Sequence, residues 1–344
     1  MTLRTVIIGY GKMGEIRHRA MERLGGYEVV AASDVFTDRD IGIPLYQDPA
    51  ETFRHKPDAV IVSLPNRFIP DVVCDALARG HHVFSEKPPG RNLADVARMA
   101  DVAAQHPGQV LKFGFNHRFH DAVEEAQRLI ASGVLGELYF MRGVYGKAGG
   151  VNYAANWRND PGLSGGGILI DQGIHMLDLF LMFAGRFADV KSVVQRKFWT
   201  GSNVEDNAFA LLTTPEGVVA SLHSSATQWR HLFKLELYLR NGFVSIDGIL
   251  SASGSYGTEV LTIALNRQGP DGSPLPNPEC QELRYTEDRS WDKEMAEFHA
   301  AVTQGAPVRK GTVEQARDVM DLVERIYRAD GGWQAGTRSE PAQP

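Results

Sequence analysis

Apolar runs alternate with segments of helical periodicity along the first third of the chain. Short runs rich in Val, Ile and Phe predict strands at 5–8, 28–33, 59–62, 81–85 and 110–115. Apolar residues at helical spacing predict helices between them, at 15–24, 70–79 and 93–105. Because these strands are apolar on both faces, they are typical of a parallel sheet that helices cover on both sides. The first third is therefore predicted to be an α/β domain.

A different pattern begins near residue 120. Residues 121–132 predict a helix, and β-type runs then dominate at 137–146, 189–198, 204–213, 217–227, 232–240 and 242–247. Asn241-Gly242 and the turn from Thr214 to Gly217 are typical hairpin connections between such runs. Late helices are predicted at 286–303 and 312–328. The second part is therefore predicted to be an α+β domain with a mostly antiparallel sheet.

The length of 344 residues exceeds what one hydrophobic core usually supports, so two domains are expected. The change of pattern divides them into 1–118 and 119–329, with the late helix at 312–328 free to pack back on the first domain. Residues 330–344 are rich in Gly, Ser, Pro and Ala and are predicted to be a disordered tail.

Composition and charge exclude several classes of protein. Hydrophobic residues at 43% and charged residues at 23% are typical of a globular protein and not of a disordered one. A net charge of −6 argues against a nucleic-acid partner. The chain start lacks the apolar segment of a signal peptide, and no run of about 18 apolar residues predicts a membrane span. With two cysteines, these features predict a cytoplasmic protein without a membrane partner.

A glycine motif follows the first predicted strand. In Gly9-Tyr10-Gly11-Lys12-Met13-Gly14, the first glycine permits a tight turn, the second lets a pyrophosphate approach the backbone, and the third allows close helix–strand packing. Asp34 ends the second strand, where an acid would bind the ribose hydroxyls and repel a 2′-phosphate. NAD is therefore expected over NADP, although Arg39 nearby could weaken the preference. The alternative is an ordinary turn followed by an incidental Asp34.

A lysine lies at the end of another predicted strand, in Ser85-Glu86-Lys87-Pro88-Pro89-Gly90. The carboxyl ends of parallel strands face the ligand crevice, so Lys87 could donate a hydrogen bond to a substrate oxygen. The Lys87–Pro88 peptide bond is predicted to be cis. The alternative is an exposed loop lysine.

Three glycines lead into a predicted helix that carries Asp171, His175 and Asp178 at i, i+4 and i+7, and therefore on one face. A histidine suits general acid–base chemistry near neutral pH, because its ordinary pKa is about 6.5. One alternative is a polar helix face in water, and another is a metal site on these three residues. The 35 glycines concentrate here and in the turn at 9–14, which suggests two places where the backbone approaches a ligand.

Taken together, these motifs resemble the glucose–fructose oxidoreductase / inositol dehydrogenase (Gfo/Idh/MocA) family. The resemblance rests on four features in order, and it spans nearly the whole chain: the glycine motif, Glu86-Lys87-Pro88, Gly114-Phe115-Asn116-His117-Arg118-Phe119, and Gly165-Gly166-Gly167 with Asp171 and His175. It implies an N-terminal Rossmann domain and a C-terminal domain with a large open sheet. It also implies a homodimer or homotetramer that assembles through this sheet.

The resemblance further implies roles for individual residues. Lys87 would hydrogen-bond the reacting oxygen, His175 would take or give the hydroxyl proton, and Asp171 would orient the substrate or the imidazole. Pro65 and Asn66 would touch the nicotinamide side, although Arg67 to Pro70 follow where many members carry a histidine. The candidate cofactor-binding residues are Gly9, Gly11, Lys12, Met13, Gly14, Asp34, Ser63, Pro65, Asn66, Glu86 and Lys87.

The segment before the three glycines is rich in groups that suit a polyhydroxylated ring. The resemblance also implies that Arg118 and the pair Trp157-Arg158 lie near the substrate. The candidate substrate residues are therefore Arg118, Tyr145, Asn156, Trp157, Arg158, Asp171 and His175, with Lys147, Asn152 and Tyr153 nearby. Arg158 and Lys147 could equally serve a carboxylate or phosphate. The expected function is the NAD-dependent interconversion of a secondary alcohol and a ketone on a sugar, cyclitol or related polyol. The alternative from another class is a catalytically silent NAD-binding regulator or scaffold.

Overall fold

The computed structural model of the protein describes residues 1–150, 153–251, 253–331 and 333. Its described part divides into two compact units. The first unit comprises Met1–Phe119, Gly162–Gly165 and Arg289–Asp321, and the second comprises His120–Pro161, Gly166–Asp288 and the described residues from Leu322 onward. The predicted C-terminal domain at 119–329 differs from the second unit, because Ser290–Gln304 belongs to the first. Most of the predicted tail at 330–344 lies outside the described residues.

A six-stranded parallel sheet forms the centre of the first unit, which confirms the predicted α/β architecture. In sheet order 3-2-1-4-5-6, its strands are β1 (Leu3–Ile8), β2 (Tyr27–Ser33), β3 (Leu45–Tyr46), β4 (Ala59–Val62), β5 (His82–Glu86) and β6 (Leu111–Gly114). All four residues of β4 are buried, as expected of a central strand between two helical layers. Two residues are too few for a periodic pattern, and β3 was therefore not predicted.

The helices of the first unit come from three separate parts of the chain. They are α1 (Lys12–Leu24), α2 (Pro49–Thr52), α3 (Ile69–Ala78), α4 (Leu93–Gln105), α6 (Pro161–Ser164) and α8 (Ser290–Gln304). Helix α8 places Met295 and Phe298 in one buried cluster with Ala20 and Met21 of α1. The packing of these apolar side chains explains why α8 belongs to this unit despite its distance along the chain.

A buried cation connects α1, β5 and α8. Arg17 is fully buried, its Nε lies 2.5 Å from a Glu86 carboxylate oxygen, and its Nη1 lies 2.7 Å from a Glu294 carboxylate oxygen. The guanidinium also lies over the rings of Phe84 and Trp291, at 4.3 and 4.6 Å from their centroids. A buried charge is tolerated only when it is paired, so these contacts restrict how the three elements can pack.

The described residues of the second unit form an eight-stranded mixed sheet in which β7 and β10 are parallel neighbours and the other neighbouring strands are antiparallel. In sheet order 16-13-12-11-7-10-9-8, the strands are β7 (Leu138–Ala148), β8 (Asp189–Gln195), β9 (Asn207–Thr213), β10 (Val219–Ser225), β11 (Thr227–Leu239), β12 (Gly242–Asp247), β13 (Glu259–Leu265) and β16 (Cys280–Tyr285). A separate short hairpin pairs β14 (Arg267–Gln268) with β15 (Pro274–Leu275). The mostly antiparallel sheet is thus confirmed, including both predicted hairpins, whereas β13 and β16 were not predicted.

Helices α5 (Asp121–Ala131) and α7 (Ile174–Ala184) belong to the second unit, while α9 (Val313–Ala329) contributes residues to both units. Every residue from Ile174 to Phe180 is buried. The helical stretch Pro161–Ala184 is long and apolar enough to cross a membrane, with a mean hydropathy of 1.4, but 67% of its most apolar window is buried inside the protein. Such burial is what the core helix of a globular domain shows.

The buried pairing of Arg17 predicts a large loss of stability in the variant Arg17→Leu, because Glu86 and Glu294 would remain as buried carboxylates without their cation. We expect the free energy of unfolding to fall by about 3–5 kcal/mol. Arg23→Leu is the matched control, since Arg23 also joins α1 to α8, at 2.6 Å from Asp292, but is 53% exposed. Its loss should stay below about 1 kcal/mol. Urea denaturation measures both, and equal losses would contradict the inference.

Candidate active site

The glycine motif forms the turn between β1 and α1. Gly9 has φ +90°, and a Cβ at this position would lie 2.5 Å from the Ser63 carbonyl oxygen. A Cβ at Gly14 would lie 2.4 Å from the Gly9 carbonyl oxygen. A Cβ at Gly11 would meet no atom within 4 Å. Two glycines are therefore required by the packing of the protein itself, and Gly11 leaves open space beside the backbone.

These residues fit a dinucleotide. Gly11 is also the N-cap of α1, and no side chain among the described residues caps that helix start. Its backbone N–H groups and the positive end of the helix dipole suit a pyrophosphate. Lys12 and Met13 are the first two residues of this helix.

Asp34 and Arg39 bear on the choice between NAD and NADP. Asp34 follows β2, is partly buried, and accepts a hydrogen bond from the Phe36 N–H at 3.1 Å. Arg39 donates to Glu15 at 2.8 Å and to the Tyr10 carbonyl oxygen. Because Glu15 neutralises Arg39, the structure supports the acidic environment on which the expected NAD preference rests.

The Lys87–Pro88 peptide bond is cis, as predicted. Lys87 is partly buried and follows directly on Glu86, which is 5% exposed. The carboxylate of Glu86 belongs to the Arg17 ion pair, so this predicted cofactor ligand has an internal partner instead. A Cβ at Gly114 would lie 2.9 Å from a guanidinium nitrogen of Arg17, so the packing of Arg17 explains why this position is a glycine.

Other predicted residues of the first unit are buried near the ends of its strands. Asn66 is 3% exposed and donates through its side-chain amide to the Ser164 carbonyl oxygen at 2.7 Å. Ser63 and Pro65, in the same segment after β4, are partly buried. Arg118 is 4% exposed, and its carbonyl oxygen accepts from Lys310 Nζ at 2.9 Å. Asn66 is thus fixed by the backbone of the segment that leads into the three glycines.

In the second unit, two cations hold Asp171. One carboxylate oxygen lies 2.6 Å from Lys147 Nζ, and the other lies 3.4 Å from Arg158 Nε. The Asp171 side chain is only 12% exposed. Lys147 comes from β7 and Arg158 from the turn Trp157–Asn159, so three separate segments meet at this carboxylate. The two ion pairs define the orientation of the Asp171 carboxylate.

His175 lies in the first turn of α7 and is 4% exposed. Its ring centroid is 6.1 Å from that of Tyr145, which packs in turn against Tyr256 at 5.3 Å. Burial raises the pKa of the Tyr145 hydroxyl, and the neighbouring Tyr256 and Asp171 act in the same direction. The Tyr145 hydroxyl is therefore protonated, and this neutral side chain lies beside the His175 imidazole.

The segment before the three glycines is organised by its own contacts. Asn156 Oδ1 accepts from the Arg158 N–H at 3.0 Å, so this predicted substrate ligand caps the turn. The Arg158 guanidinium lies over the Trp157 ring at 4.5 Å from its centroid. Tyr153 packs on Trp199 with ring centroids 4.6 Å apart. Asn152 lies outside the described residues.

The helix that carries Asp171 and His175 differs from the single α-helix of the sequence prediction. Leu169–Gly173 is a π-helical turn, and the α-helix begins only at Ile174. Asp178 is fully buried. Within the described ranges, no three His, Cys, Asp or Glu side chains are grouped so that they could hold a metal ion, so the metal alternative on Asp171, His175 and Asp178 has no geometric support.

The three glycines approach protein atoms, which corrects the expectation that they approach a ligand. A Cβ at Gly166 would lie 2.2 Å from the Tyr327 hydroxyl, and one at Gly167 would lie 2.2 Å from the Glu205 carbonyl oxygen. Gly165 has φ +81°, and its Cβ would lie 2.3 Å from the Arg91 carbonyl oxygen. Sequence reasoning missed Glu205 and Tyr327; the only local signal is an acidic pair, Glu205-Asp206, at the start of an apolar strand.

The geometry of the turn at 9–14 predicts different outcomes for two alanine substitutions. Gly11→Ala should leave the melting temperature unchanged but weaken NADH binding by about tenfold or more, or at least 1.4 kcal/mol, because the methyl group enters the open space. Gly14→Ala should lower the melting temperature, because its methyl group collides with the Gly9 carbonyl. Gly108→Ala, where space is also open, is the control. Unchanged NADH affinity in Gly11→Ala, measured by fluorescence titration, would contradict the assignment.

Comparisons of the chain with known proteins identify its family. Residues 3–114 match the model of an oxidoreductase family with an NAD-binding Rossmann fold, and residues 123–245 match that of the GFO/IDH/MocA C-terminal domain. The chain is 29% identical to D-glucoside 3-dehydrogenase of Escherichia coli (strain K12), over 98% of this chain and 97% of the relative. It is 25% identical to myo-inositol 2-dehydrogenase of Thermotoga maritima, over 79% and 80% of the two chains.

The fold itself matches a solved structure of levoglucosan dehydrogenase in complex with NADH. The TM-score is 0.84 at 17% identity, over 96% of this chain and 97% of the other. The two family models lie in the same order as the two parts predicted from the sequence. The chain thus belongs to the glucose–fructose oxidoreductase / inositol dehydrogenase (Gfo/Idh/MocA) family of oxidoreductases and carries the family's NAD-binding Rossmann domain.

Proposed function

We propose that the protein interconverts a secondary alcohol and a ketone on a sugar, cyclitol or related polyol, with NAD as the redox partner. The observation that carries the proposal is the buried His175, which lies four residues after an Asp171 carboxylate held by Lys147 and Arg158. An imidazole shielded from water, four residues after an oriented carboxylate, suits proton transfer to or from a hydroxyl.

The substrate class is supported by the relatives and by the chemistry of the second unit. The names of two relatives, a D-glucoside 3-dehydrogenase and a myo-inositol 2-dehydrogenase, indicate oxidation of a ring hydroxyl. Around Asp171, this chain provides a carboxylate, two cations and the indole of Trp157, which together suit a ring with many hydroxyl groups. The ammonium and guanidinium are already paired with Asp171, which favours a neutral polyol over a carboxylate or phosphate.

Each residue then has a defined task. NAD supplies the hydride acceptor when it is bound. Lys87 donates a hydrogen bond to the reacting oxygen and stabilises the negative charge that develops there. His175 takes the hydroxyl proton in oxidation and returns it in reduction, and Asp171 orients the substrate or the imidazole.

A screen of glycosides, inositols, polyols and ketoses with NAD(H) and NADP(H), in both directions, tests the activity. NADH formation is followed by its near-ultraviolet absorbance. We expect turnover with a cyclic polyol or glycoside and a preference for NAD. Binding of NADH without turnover of any compound would favour the silent regulator instead.

The proposed roles predict that His175→Ala lowers kcat by about 10²–10⁴-fold, because proton transfer loses its base. Lys87→Ala should lower kcat at least as strongly, because the developing charge loses its donor in a site of low dielectric. His106→Ala, in a turn after α4, serves as the control and should keep the activity of the unaltered protein. Unaltered kcat in His175→Ala would remove the residue from the mechanism.

We further propose that copies of the chain assemble through the sheet of the second unit. Strand β9 buries Ala208 and Leu212 but exposes Phe209 and Leu211, at 40% and 47%. Val193 on the neighbouring β8 is 50% exposed. Such a row of exposed apolar side chains is typical of a protein interface.

The assembly proposal predicts that Leu211→Lys shifts the protein towards the monomer, because a charge would be buried against apolar side chains. Light scattering after size exclusion measures the mass. Leu24→Lys, at an exposed position of α1, is the control and should not change it. A monomeric unaltered protein at micromolar concentration would refute the proposal.

A further inference from the structure

The start of the helix that carries Asp171 and His175 is capped by a side chain from a different part of the chain. The backbone N–H groups of Gly167 and Leu169 donate to the two carboxylate oxygens of Glu205, at 2.8 and 2.9 Å. The N–H of Ile168 donates to the Glu205 carbonyl oxygen at 3.3 Å. One residue therefore accepts hydrogen bonds from three consecutive N–H groups that a helix start leaves without intrahelical partners.

The capping residue is itself fixed. Glu205 is fully buried, and the Tyr327 hydroxyl donates to its carboxylate at 2.7 Å. Burial raises the pKa of Glu205 to about 6, whereas the hydrogen bonds from Tyr327, Leu169 and Gly167 act in the opposite direction. At pH 7.5 the group is therefore ionised, and its charge interacts favourably with the positive end of the helix.

The space for this cap explains the glycines. A Cβ at Gly166 would overlap the Tyr327 hydroxyl, and one at Gly167 would lie 3.0 Å from a Glu205 carboxylate oxygen. The Ser224 hydroxyl, from β10, donates to the Ile168 carbonyl oxygen at 3.0 Å. Side chains thus bind both the backbone N–H groups of Gly167 and Leu169 and the backbone carbonyl of Ile168 between them.

The cap connects to the catalytic residues through one hydrogen bond. The Asp171 N–H donates to the Gly167 carbonyl oxygen at 3.0 Å, so Gly167 is bonded both to Glu205 and to Asp171. The π-helical turn Leu169–Gly173 contains Asp171, and His175 is the second residue after it, in the first turn of α7. A π turn is less regular than an α-helix, so its geometry depends on how its first residues are held.

We propose that Glu205 is a positioning residue for the reaction, which acts by fixing the first residues of the π turn and thereby the orientation of Asp171 and His175. This inference rests on the proposed function of those two residues. Tyr327 supports it by orienting the carboxylate of Glu205. Neither side chain needs to touch the substrate.

The variant Glu205→Gln tests the proposal with the smallest change in shape. An amide has one acceptor oxygen and one donor nitrogen, so the N–H of either Gly167 or Leu169 would face an NH₂ group. We expect kcat at pH 7.5 to fall roughly 10- to 100-fold, since a displacement of about 1 Å can cost 10²-fold. The KM for NAD should stay unchanged, because the glycine turn at 9–14 is intact. Tyr327→Phe should lower kcat in the same direction but less.

Glu259→Gln is the matched control. Glu259 is also a buried carboxylate of the second unit, at 1% exposure, and accepts from the Ala122 N–H at 2.8 Å and from His120 at 2.6 Å. It should share any general loss of stability but keep kcat. Equal decreases of kcat in Glu205→Gln and Glu259→Gln, or unchanged kcat in both Glu205→Gln and Tyr327→Phe, would overturn the positioning role.

Hydrogen exchange of the peptide that covers 165–171 separates this inference from the proposed function. We expect faster exchange there in Glu205→Gln than in the unaltered protein or Glu259→Gln. If the unaltered protein oxidises no polyol but this exchange pattern is found, the proposed function fails and the cap is retained. Unchanged exchange in Glu205→Gln would overturn the cap whatever the activity.

Discussion

The packing of α1, β5 and α8 in the first unit depends on the burial of the Arg17 guanidinium. Arg17 has no exposed surface and must therefore find its compensation inside the protein, from Glu86 at the end of β5 and Glu294 on α8. This requirement brings the helix of the nucleotide turn, the strand that leads to Lys87 and a late helix into one arrangement. It also explains Gly114, because any side chain there would occupy the space of the guanidinium.

The second unit uses a buried charge of the opposite sign. Glu205 is compensated by the backbone N–H groups of Gly167 and Leu169 and by the Tyr327 hydroxyl. In both units, a buried charge lies next to a segment that carries candidate functional residues, and the partners of that charge belong to the protein itself. Buried charges of this kind contribute little net stability, but they disfavour other arrangements in which the charge would be left unpaired.

Several expectations followed directly from local patterns and were confirmed. The parallel sheet, the strand Ala59–Val62, the helix Leu93–Gln105 and the Asn241-Gly242 hairpin all arise from periodicity or turn chemistry within a few residues. Strand β16 was missed because five of its six residues are exposed and none is buried, so it lacks the alternation of buried and exposed positions that a pattern can detect. The π turn was missed because a sequence at i, i+4 and i+7 spacing suggests a regular α-helix.

By itself, the sequence determined the type of each domain, the glycine turn for the dinucleotide, the family, and the residues Lys87, Asp171 and His175 as candidates for chemistry. Only the tertiary structure showed that Glu86 pairs with Arg17, 69 positions away, and that Glu205 pairs with Tyr327, 122 positions away. The need for glycine at 166 and 167 also appears only in the tertiary structure, because a Cβ there would collide with atoms of Tyr327 and Glu205. Periodicity and turns are local properties of a chain, whereas the partner of a buried charge is whichever group the fold brings near.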